Sequence, residues 1–230
     1  MIKRREIEKA ETPSSEIRSA IEELSTVVVK VKPDVDDDDV DAHIPAKPFL
    51  FVCKLVIQVL DKIGPTMTVL RQDIDQNIQR LEKILESDPS LYSNLVEILK
   101  KEAIEGNARN NTSCSRALVW LIRSMDFMVN LLQLLVKDSG ETMEQAVEEA
   151  YNITLKPWHR WISSAAYKVA IKLVPDNNTL MNIMMAKDED REKLKEEMKA
   201  LISLLVPLLE NIHSILVTLF IHLIPCLTQL

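Results

Sequence analysis

The chain has 230 residues, a formal net charge of −7, 47% apolar side chains and only 4% aromatics. Three glycines in the whole sequence argue against an all-β fold, a Rossmann fingerprint and a P-loop together, because hairpin turns and phosphate loops need residues that tolerate positive φ. Net acidity argues against a nucleic-acid partner, since phosphate binding needs a basic stripe.

Residues 1–13 read as a flexible N-terminus without the apolar stretch of a signal peptide, and residues 14–230 as one domain. Ser14-Ser15-Glu16 starts an amphipathic segment with Ile17, Ile21 and Leu24 on one face. The stretch that follows holds DVDDDDVD, and residues 32–46 read as a self-repelling, disordered acidic loop. The spacing lacks the glycine and terminal Glu of a calcium loop. Residues 48–62 are mostly apolar and read as a buried helix. Residues 66–86 set Met67, Leu70, Ile74, Ile78, Leu81 and Leu85 in one helical stripe. Asp88-Pro89-Ser90 breaks the pattern before a helix carrying Leu91, Leu95, Ile98 and Leu99. Gly106 to Ser113 is a polar loop.

Residues 114–136 are apolar on nearly every face, which predicts a central helix. An acidic helix over 142–155 follows, and Pro157 opens another that ends at Pro175. Residues 179–186 and 189–223 supply the last helices. The pattern is all-α, with about eight helices. The tail, residues 212–230, is strongly apolar and about long enough to span a bilayer at ~20 residues. His213, His222, Pro225 and Gln229 dilute it, which favours a helix packed on the domain or lying at a membrane surface. Cys53, Cys114 and Cys226 are odd in number and widely spaced, so neither a disulfide framework nor a metal site is expected, and a reducing, cytosolic compartment is.

Three groups of polar residues interrupt the apolar pattern. Asp73, Asn77 and Arg80 share one flank of the 66–86 helix, where a carboxylate beside an amide suits hydroxyls and an amide; a solvated helix flank is the plain alternative. Arg116 and Trp120 stand at i and i+4 on the most apolar helix. The guanidinium suits a carboxylate or a phosphate and the indole suits a sugar or an amide plane. The alternatives are an ion pair, with Asp73 for example, and core packing. Arg123 and Asp126 are close enough on the same helix to pair with each other. His159 lies in PWHRW, where a hydrogen-bonded structural histidine is the alternative. No residue near Cys114 activates it as a nucleophile, and no catalytic motif is present, so no enzyme and no cofactor are expected.

Taken in order, DIDQNIQR (73–80), SRALVWLIRSMDF (115–127) and KPWHRW (156–161) resemble the headgroup motifs of the glycolipid transfer protein family. DPSLYSNLVEIL between the first two is similar as well. The resemblance implies a single-domain, two-layer helical sandwich that takes sphingolipid chains between its layers. It implies that Asp73 accepts the ceramide amide N–H and that His159 donates to the amide carbonyl, with Asn77 and Arg80 on the headgroup. It also implies a monomeric cytosolic carrier that touches membranes transiently. A sensor or scaffold that binds the same lipid without moving it would need the same pocket. Asn77 and Trp120 are similar to the glycosyl-binding pattern. Arg116 is similar to the ceramide-1-phosphate pattern, and the flanking sequence resembles the plant accelerated-cell-death branch. The expectation leans to a phosphorylated ceramide, with a glycosylceramide close behind.

Overall fold

The computed structural model describes residues 15–28, 43–137, 140–158, 169–187 and 190–223, with side chains described to Leu219. Among these the chain is helical throughout: α1 (Glu16–Val28), α2 (Ala46–Ile63), α3 (Thr68–Ser87), α4 (Leu95–Ile104), α5 (Cys114–Lys137), α6 (Met143–Thr154), α7 (Asn177–Met184) and α8 (Arg191–Leu223). Residues 169–171 are helical as well. The helices form the two-layer, all-α sandwich expected from the motifs. Residues 1–13, expected to be a flexible N-terminus, and most of 32–46, expected to be an acidic loop, lie outside the described residues. His159, Arg160, Trp161, Cys226 and the end of the tail do so too.

The ends of the acidic segment differ from the expectation. Ile44 and Ala46 are fully buried. Ile44 N–H donates to Asn94 Oδ1 at 2.9 Å, and Leu95 N–H donates back to the Ile44 carbonyl at 2.9 Å. Order therefore begins ahead of residue 46, because an isoleucine and a side-chain amide fix the chain against α4. Asn94, which also accepts from Val96 N–H at 3.1 Å, is the N-cap of α4, whereas Asp88 Oδ1 accepts from Leu91 N–H at 3.1 Å, at the start of the short 3-10 turn 91–93 before it.

Each helix forms where periodicity and end signals agree. Gly64, at φ +107°, ends α2 in a conformation open chiefly to glycine, and the turn through Pro65–Met67 returns α3 along α2. Thr142 and Gln145 make a reciprocal capping box on α6. Asp176 caps α7 through Thr179 N–H.

Helix α5 packs on α3, α4, α6 and α8, as its apolar circumference predicts, while α2 packs on α1, α3 and α7. Both helices, α2 and α5, contribute to the lining of one cavity. Both α5 and α8 are long and apolar enough to span a bilayer by length and composition. In this fold α5 is a core helix. The described part of the tail continues α8 and packs on the domain: Ile212, Ile215 and Leu216 are buried, and Val217 faces out. Arg18 of α1 pairs with Glu197 of α8 at 2.6 Å, tying these two helices together.

Candidate functional site: an apolar cavity with a polar mouth

The cavity has a volume of about 310 Å³. Its wall comes from α1, α2, α3, α5, α6, α7 and α8 and from residues 170–175, nearly all Leu, Ile, Val, Met and Phe. Polar side chains enter the lining at few places, among them Asp73 of α3 and Trp120 and Ser124 of α5. An almost wholly aliphatic space with a carboxylate and an indole on its lining is suited to an amphiphile with long chains and a hydrogen-bonding neck.

Both helices that carry the polar residues are held in register. Ile74, Ile78 and Leu81 bury one stripe of α3, which leaves Asp73 exposed beside it. Asn77 is buried rather than at the water boundary. Its Nδ2 donates to the Asp73 backbone carbonyl one turn back at 2.9 Å, which leaves its amide oxygen and its second amide N–H for a ligand. Arg80 Nη1 donates to the Ser113 carbonyl at 3.4 Å, bridging α3 to the start of α5.

The start of α5 is closed by a carboxylate from α4. Glu102, buried, accepts from Cys114 N–H at 2.8 Å and from Ser115 N–H at 2.7 Å. Ser113 Oγ accepts from Arg116 N–H at 3.1 Å. The free backbone donors of this helix end, which could otherwise draw an anion, are thereby occupied from within the protein. Burial raises the Cys114 thiol to about 11, so it stays protonated at neutral pH and is no nucleophile.

Arg116 is half-buried, and its guanidinium has no ion-pair partner among the described residues. The ion pair with Asp73 that its position allows is not formed. Its charge is felt by Arg123, which burial first, and then Arg116, pushes down to about 10 against the opposing pull of Asp126.

The expected pairing of Arg123 with Asp126 is not what forms. Asp126 instead meets His213 of α8 through both carboxylate oxygens, at 2.9 and 3.0 Å. Arg123 lies over two indoles, 5.0 Å from the Trp120 ring centroid and 4.0 Å from that of Trp158. The pairing failed because each group found a better partner outside its own helix. The structure thus brings Asp73 and Trp120 to the cavity, places Asn77 and Arg80 behind them on α3, and sets Arg116 one turn before Trp120. His159 lies outside the described residues. Arg123 and Trp158 are additions. The signal available for Arg123 was its three-residue step from Trp120, which puts the two side chains on neighbouring positions of one face.

Comparison with known proteins agrees with this geometry. Residues 44–186 match the family model described as glycolipid transfer protein. The chain is 57% identical over 223 residues to glycolipid transfer protein 3 of Arabidopsis thaliana, covering 94% of this chain and 95% of the relative. It is 54% identical to glycolipid transfer protein 2 of the same plant, with the same coverage. Among solved structures, one described as showing how FAPP2 selects simple glycosphingolipids with this fold matches at 27% identity. Its TM-score is 0.71, over 79% of this chain and 87% of that one. A mutant of Arabidopsis accelerated-cell-death 11 complexed with ceramide-1-phosphate matches with a TM-score of 0.76 over 92% of this chain and 98% of that one. At 16% identity this is a likeness of fold.

Proposed function

The chain belongs to the glycolipid transfer protein family, and from that premise we propose that it carries a sphingolipid between membranes without making or breaking a bond. The observation that carries this reading is the aliphatic cavity with Asp73 and Trp120 on its lining. A sphingolipid leaving a bilayer must hydrate its chains at roughly 0.8 kcal/mol per CH₂, and a dry sleeve removes that cost. Met67, Met128 and Met184 on its wall supply side chains that repack easily. Asp73 accepts the ceramide amide N–H, and His159 donates to the amide carbonyl. Asn77, Arg80 and Arg116 meet the headgroup.

For the headgroup we favour a phosphate. Arg116 and Arg123 are two cations close enough to disturb each other, and a phosphate held by Arg116 would relieve that repulsion. A glycosylceramide is the second reading, supported by the Trp120 indole on the cavity lining and by Asn77. The reading places the protein in the cytosol as a monomer, consistent with the free thiols of Cys53 and Cys114. The test is transfer of labelled ceramide-1-phosphate and glucosylceramide between phosphatidylcholine vesicles. Saturable transfer of either, faster than spontaneous exchange, is expected. Binding without transfer would leave a lipid sensor, and conversion of the lipid would make the protein an enzyme.

A further inference from the structure

Among the described residues Arg123 is the one cation that lies over two indoles. Arg123 follows Trp120 by three residues on α5 and reaches Trp158, the last residue of the 3-10 turn Lys156–Trp158 beyond α6. Asp126, the carboxylate that could have neutralised it, is bound to His213. Among the described residues Arg123 forms no ion pair, and the two aromatic faces take that place. Trp158 is 42% exposed, so its ring is not held there by burial in the core. Trp120 lines the cavity.

We propose that Arg123 is a positioning residue of the lipid site, clamping the Trp120 indole on the cavity lining to Trp158 so that the headgroup meets a preset surface. The clamp joins α5 to the 3-10 turn Lys156–Trp158 that follows α6. It needs no direct contact between Arg123 and lipid, because the arginine acts through the ring of Trp120. A preset ring spares the lipid the cost of ordering it on binding. The proposal rests on the transfer reading above and adds a named residue to it.

The experiment compares full-length wild type with Arg123→Met, Arg123→Lys, Trp120→Leu and the double variant Arg123→Met/Trp120→Leu. Equilibrium uptake of labelled ceramide-1-phosphate and glucosylceramide from phosphatidylcholine vesicles is read for each. Methionine keeps most of the apolar stem and removes the charge. Arg123→Met is expected to weaken uptake about 5- to 30-fold, and Arg123→Lys to recover part of the loss. In the Trp120→Leu background Arg123→Met should cost less than about twofold, since the cavity-lining ring that the arginine positions is then gone and only Trp158 is left to hold. An equal fold-loss in both backgrounds, or an Arg123→Met protein that binds like wild type, overturns the clamp. Wild type that takes up neither lipid overturns the transfer reading instead. In that case the clamp is read in the lipid-free protein, where Arg123→Met must shift indole emission to the red; an unchanged spectrum overturns it.

Discussion

At the scale of single residues, the proposed function turns on a few polar groups set against an aliphatic wall. Asp73 is the one carboxylate that α3 contributes to the cavity lining, and a charge-assisted hydrogen bond contributes about 1.5–3 kcal/mol. Asp73→Val is therefore expected to weaken uptake of any ceramide by roughly tenfold or more, with the melting temperature unchanged. Vesicle binding at fixed lipid measures this, and full uptake by the variant would remove Asp73 as the amide anchor. Arg116→Leu separates the two headgroup readings. Transfer of ceramide-1-phosphate should fall at least roughly tenfold while glucosylceramide is spared. Equal loss of both by a folded variant would count against a phosphate at Arg116. Asp73 and Trp120 could be singled out in the sequence by the motifs they belong to, because spacing alone fits a solvated helix flank and core packing as well. The clamp on Arg123 could not, since its second indole comes from a segment 35 residues away.

At the scale of elements, the site depends on how α5 is anchored. Glu102 reaches across from α4 to satisfy two backbone donors of α5, a long-range cap with no local sequence signature. Glu102→Ala leaves both donors buried without a partner and should lower stability by about 2 kcal/mol, seen as a reduced urea midpoint with unchanged slope. A shift close to zero would mean that water replaces the carboxylate.

The other anchor is the Asp126–His213 pair between α5 and α8. The hydrogen bond to Asp126 raises the His213 pKa above its ordinary 6.5. A histidine raised on folding gives its stabilisation in full below the unfolded value, and that stabilisation fades as pH climbs through the folded value. The pair is half-exposed, so its contribution is about 0.5 kcal/mol. The melting temperature of Asp126→Asn should fall below that of wild type under about pH 6.5 and converge with it at alkaline pH. A gap independent of pH would assign the effect to packing.

At the scale of the whole molecule, the internal space between α2 and α5 is what distinguishes a carrier from an ordinary helical domain. Val56 stands on the cavity wall and is only partly buried. Val56→Trp should fill part of the space at a stability cost of about 1–3 kcal/mol and slow transfer of long-chain sphingolipid far more than that of a short-chain analogue. Equal transfer of both by the variant would place the chains elsewhere. The net charge of −7 would favour release from an anionic membrane in the proposed carrier role, because such a surface repels it.

The helical class, the order of the helices and the identity of the motif residues were determined by the sequence alone. Local periodicity, scarce glycine and the spacing of Asp73, Asn77, Arg116 and Trp120 are properties of short windows. Tertiary structure alone decided that Ile44 is ordered against Asn94, that Glu102 caps α5 and that Asp126 turns from Arg123 to His213. It also decided that the aliphatic surplus divides between a packed core and a cavity. Each of these depends on partners far apart in the chain, and a hydrophobic stripe looks the same in sequence whether it meets another helix or an empty space.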